Sequence, residues 1–248
     1  VHSLASRPSP LALLMSTKLR SQVTHNAHTV VVKIGTSVLS RDDDTLDVDL
    51  IQSIVEQVHL IRQAGRRVII VTSGAVGAGI GLLKLNGRPR DLPHLQAAAA
   101  TGQAHLMRVY NDCLDRHGYK AAQLLLTAND FRHRERYLNL RNTLNPLFEF
   151  PVIPIINEND TVATAEIRYG DNDRLAARVA TMGSADLLVL LSDIDGLYTA
   201  PPHEDPKAEL IPVVPRISAE IEGMAGGAAS EMSRGGMRTK IEAAKIAT

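Results

Sequence analysis

The chain has 248 residues, with 27 Lys plus Arg set against 27 Asp plus Glu, so its formal net charge is zero. That argues against a broad nucleic-acid surface, which needs a basic excess or stripe. The single cysteine, Cys113, excludes an intrachain disulfide framework and a cysteine-rich zinc site, and in its apolar helical pattern it reads as a core thiol.

Aromatic residues make up 3 % of the chain and Trp is absent, while small and β-branched aliphatic residues abound, which suits buried parallel strands under closely packed helices. No uninterrupted apolar run is long enough to span a bilayer.

Residues 1–28 look foreign to the fold. Met15, followed by Ser16-Thr17-Lys18, reads as a natural start, and the short apolar run Leu11-Ala12-Leu13-Leu14-Met15 has Arg7 as its lone upstream charge. The segment is read as a disordered or artificial extension, with a cleaved signal or transit peptide as the alternative. From residue 29 strands and helices alternate. Residues 29–34 form an unbroken β-rich run that ends at Lys33 and Ile34. Over 49–64 the apolar positions Leu50, Ile51, Ile54, Val55, Val58 and Ile61 mark one helical face, closed by Gly65.

Residues 67–72, β-branched through Val68-Ile69-Ile70-Val71, predict a second strand. A long Ala-rich helix over 94–117 ends at Gly118. A third strand follows over 121–127, a helix over 135–150, a fourth strand over 152–156, a helix over 175–182 and a fifth strand over 186–191. Such alternation predicts an α/β fold, a three-layer αβα sandwich with a mostly parallel central sheet joined by right-handed crossovers. Two stretches break the rhythm. Residues 199–206 hold three prolines and read as a surface loop, and the Gly/Ala/Ser-rich stretch 223–234 reads as a mobile loop feeding a helix N-terminus.

Polar residues collect where strands end. Lys33 stands beside Gly35, Thr36 and Ser37, where an ammonium and close backbone N–H groups can meet phosphate. The pattern G-x-x-x-x-G-K-[ST] is absent, so this is no Walker-type loop. Ser73-Gly74-Ala75 follows the second strand as a Gly-rich turn, suited to contact between ligand and backbone or to tight helix packing.

Asn157-Glu158-Asn159-Asp160 follows the fourth strand, and Asp171-Asn172-Asp173 opens the next helix with Asp171 as its cap. Asn carries donor and acceptor together and suits an amino acid's carboxylate and ammonium. Asp160 can pair a substrate ammonium, and Asp173 can hold two lysines apart and oriented. Ser192-Asp193 leads into a nucleotide-contacting turn whose spacing lacks the later ligands of an EF-hand. Gly235 and Gly236 before Met237-Arg238-Thr239-Lys240 offer a helix N-terminus and a second cation.

The nine histidines show no metal-ligand spacing, and no Ser-His-Asp set can be argued. The charged run 132–136 reads as a solvated face. Two lysines without a His base suit transfer of a phosphoryl group to a carboxylate, which is already ionised at neutral pH and needs no base. Catalysis then reduces to aligning two anions and cancelling their repulsion, with Lys33 and Lys240 as the candidates.

From residue 29 to 248 the chain resembles the catalytic domain of the amino acid kinase family. The match is carried by Val32-Lys33-Ile34-Gly35-Thr36-Ser37, Val71-Thr72-Ser73-Gly74-Ala75, Ile156-Asn157-Glu158-Asn159-Asp160-Thr161-Val162-Ala163-Thr164-Ala165-Glu166-Ile167, Gly170-Asp171-Asn172-Asp173, Ser192-Asp193, Gly196-Leu197-Tyr198-Thr199 and Gly235-Gly236-Met237-Arg238-Thr239-Lys240.

The Asn-Glu-Asn-Asp and Gly-Asp-Asn-Asp pair favours the member acting on L-glutamate over siblings for acetylglutamate, aspartate, carbamate or uridylate. The other alternative is a non-catalytic amino-acid sensor on the same scaffold. The resemblance implies ATP-dependent phosphorylation of the glutamate side-chain carboxylate, the first step of proline biosynthesis, with Mg²⁺ carried by the nucleotide. It implies glutamate binding by Ser73, Asp160 and Asn172, beside Asn157. Lys33 and Lys240 would flank the transferred phosphoryl group, organised by Asp173. Nucleotide contacts would come from Ser192, Asp193, Arg234, Gly235, Gly236, Met237, Arg238, Thr239 and Lys240, although Ser233-Arg234 departs from the Gly-Thr common in relatives.

A cytoplasmic homo-oligomer inhibited by proline is implied, with the loop 129–139 as the place of inhibitor sensitivity, and with neither nucleic acid nor membrane as partner. The domain's last strand and the RNA-binding-like PUA domain of many relatives are expected to be missing after Thr248.

Overall fold

The computed structural model describes residues 10–41, 45–163, 172–225 and 236–248. Five strands, β1 (Thr29–Ile34), β2 (Arg67–Val71), β3 (Lys120–Leu126), β4 (Val152–Glu158) and β5 (Leu187–Leu191), form one sheet in the order β3-β4-β2-β1-β5. All the described pairings are parallel. Parallel neighbours cannot be joined by a tight turn, so helices fill the connections.

Helices α2 (Thr36–Leu39) and α3 (Val48–Gln63) lie between β1 and β2, and α4 (Ala75–Leu83) and α5 (Leu92–Asp115) between β2 and β3. Helices α6 (Ala128–Arg132) and α7 (Arg134–Leu147) come before β4, and α8 (Asp173–Met182) before β5. Helix α1 (Pro10–Asn26) precedes the sheet, and α9 (Ala219–Met224) and α10 (Met237–Ala247) follow it.

Alternation along the strands decides which helix covers which face. Val30, Val32 and Ile34 of β1, Val68 and Ile70 of β2, and Ile153 and Ile155 of β4 point to one side, where they pack with Ile51, Val55 and Val58 of α3 and Leu106, Tyr110 and Cys113 of α5. The intervening Val31, Ile69, Val71 and Ile156 point to the other, against Leu144 of α7 and Leu175, Val179 and Met182 of α8. These two cores make the predicted three-layer sandwich, and Cys113 is the buried core thiol that was expected.

The helix boundaries follow local chemistry. Asp47 accepts from the N–H of Leu50 at 3.1 Å to cap α3, and Asp91 accepts from the N–H of His94 at 3.1 Å to cap α5, each satisfying an orphan donor of a first turn. Gly65 and Gly118, at φ 76° and 79°, take the left-handed conformation that ends a helix without a Cβ clash.

Four segments differ from the sequence reading. Within residues 1–28, set aside as an extension, Pro10–Asn26 forms α1, and Ala27 is buried in the core. The Gly-rich stretch after Ser73 is a turn only at Gly74; Gly77 and Gly79 lie inside α4. The expected loop 129–139 is instead α6 and the start of α7, because Thr127 and Asp130 form a reciprocal capping box. The expected mobile loop 223–234 begins inside α9, and its part from 226 lies outside the described residues.

The glycines of α4 serve packing. A Cβ on Gly79 would stand 1.9 Å from the carbonyl oxygen of Ala98, and one on Gly102 would stand 1.9 Å from that of Ala75. Helices α4 and α5 therefore meet backbone to backbone. Substituting Gly79→Ala forces them apart, an overpacking cost of about 3 kcal/mol that lowers Tm by roughly 5–10 °C in calorimetry. An unchanged Tm would show that the two helices separate at no cost.

Candidate active site

Because the sheet is parallel, the carboxyl ends of its strands share one edge, the usual place for ligands in such folds. Lys33 is the last residue but one of β1 and belongs to the set that faces α8. Helix α8 begins at Asp173, so its first carboxylate arrives at the lysine. Asp173 Oδ1 lies 2.5 Å from Lys33 Nζ, and Asp173 Oδ2 lies 3.1 Å from Lys240 Nζ in the first turn of α10. Thr239 Oγ1 donates to the same Oδ2 at 3.0 Å.

Asp173 is fully buried and Lys33 is 4 % exposed. Burial opposes ionisation of Asp173, but the two ammonium groups outweigh it and hold the carboxyl below its ordinary range. Its place in a helix's first turn works in the same direction. A Cβ at position 35 would sit 3.5 Å from Lys33 Nζ, so glycine there keeps the approach to the ammonium open.

The residue before Asp173 belongs to a second group. Asn172 Nδ2 donates to the carbonyl oxygen of Thr72 at 2.5 Å and to Asn157 Oδ1 at 2.8 Å. Asn157 Oδ1 also accepts from the N–H of Glu158 at 2.9 Å, and Asn157 Nδ2 donates to Gln103 Oε1 at 2.8 Å. Gln103 Nε2 then donates to Gln123 Oε1 at 3.0 Å. A backbone carbonyl can only accept and a backbone N–H can only donate, so the two anchors fix the orientation of every amide in the chain. Both hydrogens of Asn172 are engaged, and what it can offer a ligand is its Oδ1 acceptor. Beneath it, Thr72 Oγ1 lies 2.9 Å from Tyr110 OH, and burial raises the Tyr110 phenol so that it stays neutral.

Beside these groups opens a cleft, partly open to solvent, lined by Ser73, Gly74, Asn157, Glu158, Asp160 and Asn172, with Arg88 and Thr36 among its further walls. Gly74 adopts φ 95°, which turns the chain out of β2 and presents its backbone to the cleft. Ser73 Oγ is buried without a hydrogen-bond partner, a group that a ligand would satisfy. Burial raises the Asp160 carboxyl from 3.8 to about 6, against the pull of Arg88.

The structure thus brings Lys33, Lys240, Asp173 and Thr239 to one point, and Ser73, Asn157, Asp160 and Asn172 around one cleft. Asn172 and Asp173 are consecutive, so the two groups adjoin. Ser192 and Asp193 follow β5, next to β1 in the sheet with Ile34 opposite Leu191, and Ser192 Oγ lies 3.2 Å from Asp193 Oδ1. Gly236 stands at the N-cap of α10 and Met237 opens the helix, with no side chain capping it. Arg238 is turned away to Glu242, 3.3 Å distant, rather than toward Asp173. Arg234, Gly235 and Asp171 lie outside the described residues, and the helix expected to be capped by Asp171 has Asn172 at its N-cap.

Sequence reasoning missed Arg88 and Gln103. Arg88 sits in a connection with no strand-end signature, and Gln103 lies on a helix where nothing marks it as different from a solvated glutamine.

The model of the amino acid kinase family matches residues 28–248, and the chain belongs to that family. It is 55 % identical over 231 residues to the glutamate 5-kinase of Rhodopseudomonas palustris (strain TIE-1), covering 93 % of this chain and 61 % of that protein. Against the glutamate 5-kinase of Bradyrhizobium diazoefficiens it is 56 % identical over 220 residues, covering 88 % and 59 %. The chain therefore spans about three fifths of the length of these relatives. Among solved structures, the aspartate kinase from Synechocystis superposes with a TM-score of 0.48 at 17 % identity, over 73 % of this chain and 31 % of that one.

Removing the charge of Asp173 leaves two ammonium groups facing each other in a dry setting. Asp173→Asn is expected to lower stability by about 3 kcal/mol or more, read as a fall in the urea midpoint at unchanged m. A loss below about 1 kcal/mol would reduce Asp173 to a helix first-turn acid.

Proposed function

We propose that this chain transfers the γ-phosphoryl group of ATP to the side-chain carboxylate of L-glutamate, giving L-glutamyl 5-phosphate and ADP, in the cytoplasm and as the first step of proline biosynthesis. The observation that carries this reading is the convergence of Lys33 and Lys240 on opposite oxygens of Asp173, next to the Asn172 cleft. Two cations and one carboxylate leave a net positive charge where two anions must meet. Among the described residues no group of three His, Cys, Asp or Glu side chains could cage a metal. Mg²⁺ would enter on the nucleotide phosphates, the oxygen ligands that this ion prefers.

In this reading a carboxylate oxygen of glutamate attacks the γ-phosphorus, and the bond to the β–γ bridging oxygen breaks. The charge of the departing ADP grows as that of the nucleophile falls. No proton need be removed, since the nucleophile is ionised at neutral pH. Lys33 and Lys240 screen the approaching anions, and Asp173 keeps them in place without reorganisation. The N–H groups at the start of α10 suit nucleotide phosphates, as do Ser192 and Asp193, which follow β5 beside β1. Asp160 takes the substrate ammonium, while Ser73, Asn157 and Asn172 orient the rest. The identity of more than half to proteins named glutamate 5-kinase supports this substrate over acetylglutamate, aspartate or uridylate. Homo-oligomerisation and inhibition by proline belong to the same proposal, with α6 and the start of α7 as the inhibitor-sensitive segment.

Assays of ADP release with glutamate, acetylglutamate, aspartate and uridylate test the substrate, and turnover of a sibling's substrate without turnover of glutamate overturns it. Lys240→Ala should lower kcat about 100-fold or more while changing glutamate affinity less than about twofold, because its charge is needed mainly in the transition state. Parallel losses of affinity and rate would contradict that role.

A pH dependence follows from Asp160. Its carboxyl is raised to about 6, so it is protonated below that pH and loses its attraction for an ammonium. The KM for glutamate should rise as pH falls through about 6, and in Asp160→Asn it should be high and flat across the same range. A profile unchanged by that substitution would place the titration on another group.

A further inference from the structure

Helix α5 carries two glutamines, Gln96 and Gln103, whose spacing of two helical turns puts them on one face, about 10.5 Å apart along the axis. Both hold the same short segment that leaves β4. Gln103 Oε1 accepts from Asn157 Nδ2 at 2.8 Å, and Gln96 Nε2 donates to the carbonyl oxygen of Ala163 at 3.0 Å. Asp160 stands midway between these two anchors in sequence. A carbonyl can only accept, so the Gln96 amide has one orientation.

Between the anchors the chain closes on itself. The N–H of Asn159 donates to the carbonyl of Leu126 at 2.7 Å, which ties the start of the turn to β3. The N–H groups of Val162 and Ala163 then donate to the carbonyl of Asn159 at 3.1 and 3.0 Å, and Thr161 Oγ1 donates to Asn159 Oδ1 at 2.5 Å. Val162 is exposed and Ala163 is buried, so the chain turns back into the protein where Gln96 meets it. Helix α5 is placed in turn by its backbone contacts with α4 at Gly79 and Gly102, and Val76 and Gly77 of α4 line the cleft. One helix thus sets two walls of the cleft, the first through α4 and the second through its glutamines.

On the amino-acid reading of the cleft given above, we propose that Gln96 is a positioning residue for the substrate ammonium: by holding Ala163 it fixes the turn that presents Asp160 to the cleft. Gln96 touches no substrate in this arrangement, and the lysines around Asp173 do not depend on it. Its loss should therefore act on glutamate binding and spare the transfer step.

The test uses Gln96→Met, which keeps the length of the side chain but cannot donate, and Gln96→Lys, which restores a donor. Both are compared with the wild type by amide hydrogen exchange, by titration calorimetry with L-glutamate and by steady-state ADP release, with Tm to verify folding. Gln96→Met should speed exchange at Val162 and Ala163 about 10-fold, since the turn opens more often. It should weaken glutamate binding about 3- to 30-fold, and Gln96→Lys should recover part of both losses. The kcat at saturating glutamate and the KM for ATP should change less than about twofold. Burial holds the Asp160 carboxyl at about 6, and a looser turn admits water to it. The pH below which glutamate binding weakens should therefore move down in Gln96→Met. Glu158 and Arg88, the other charged side chains among the described residues of the lining, are unaltered by the substitution.

The proposal is overturned if folded Gln96→Met keeps wild-type exchange at Val162 and Ala163, if it binds glutamate like the wild type, or if kcat falls in step with affinity. Should the wild type bind glutamate and transfer nothing to it, the kinase reading fails while calorimetry and exchange still decide the role of Gln96. Failure of glutamate to bind the wild type overturns both.

Discussion

One carboxylate shared by two lysines is the constraint on which the site depends. Two ammonium groups brought to one point repel each other, and nothing in the helix and strand geometry alone would hold them together. Asp173 reverses that balance by giving each lysine its own oxygen. The arrangement draws on three elements far apart in sequence. The β1 alternation turns Lys33 toward α8, the start of α8 supplies the acid, and the packing of α10 on α8 delivers Lys240. Thr239 adds a donor to the same carboxylate and ties the first turn of α10 to it. A site assembled in this way is preorganised before any ligand arrives, and preorganisation is what electrostatic stabilisation of a transferring group requires.

The parallel sheet divides the edge into two halves. On the β1–β5 side lie the paired lysines, the end of β5 and the N-terminus of α10, features that suit phosphates. On the β2–β4 side lie Ser73, the amides and the acidic cleft, features that suit an amino acid. The two halves join at a single peptide, since Asn172 belongs to the amide chain and Asp173 to the lysines. A backbone shift at the start of α8 would disturb both halves at once. The opposite end of the sheet is tied separately, by Asp186, whose Oδ2 accepts from the N–H groups of His28 and Thr29 at 2.9 and 2.8 Å.

Strand positions and strand-end residues were legible because burial on both faces writes unbroken β-branched runs, and because a polar residue after such a run has few structural reasons to be there. Lys33, Asn157 and Asp160 stood out in this way, and Asp173 as one of the polar residues that open the next helix. What escaped depends on partners distant in sequence. The glycines of α4 read as a turn, since a helix rarely tolerates them; their reason is the backbone of α5, which a local window does not contain. Helix α6 read as loop because the charged run after it hides the Thr127–Asp130 box, whereas α7 was legible as a helix. Gln103 becomes distinctive only when Asn157 stands 2.8 Å away, and Arg88 only when the fold makes it part of the cleft lining.

The amide chain explains why so many carboxamides gather here, which capping alone does not. A carboxamide is ambiguous by nature, since either end can face a ligand. Here the carbonyl of Thr72 and the N–H of Glu158 remove the ambiguity, and Gln103 and Gln123 carry the same polarity outward toward solvent. Asn172 is thereby restricted to accepting, in company with Asp160 and Glu158. A cleft biased in this way would repel any substrate whose recognised end is purely anionic, unless a cation stood opposite. Arg88 is a cation among the described residues that line the cleft, so both signs of charge stand in its wall, as both stand in an amino acid.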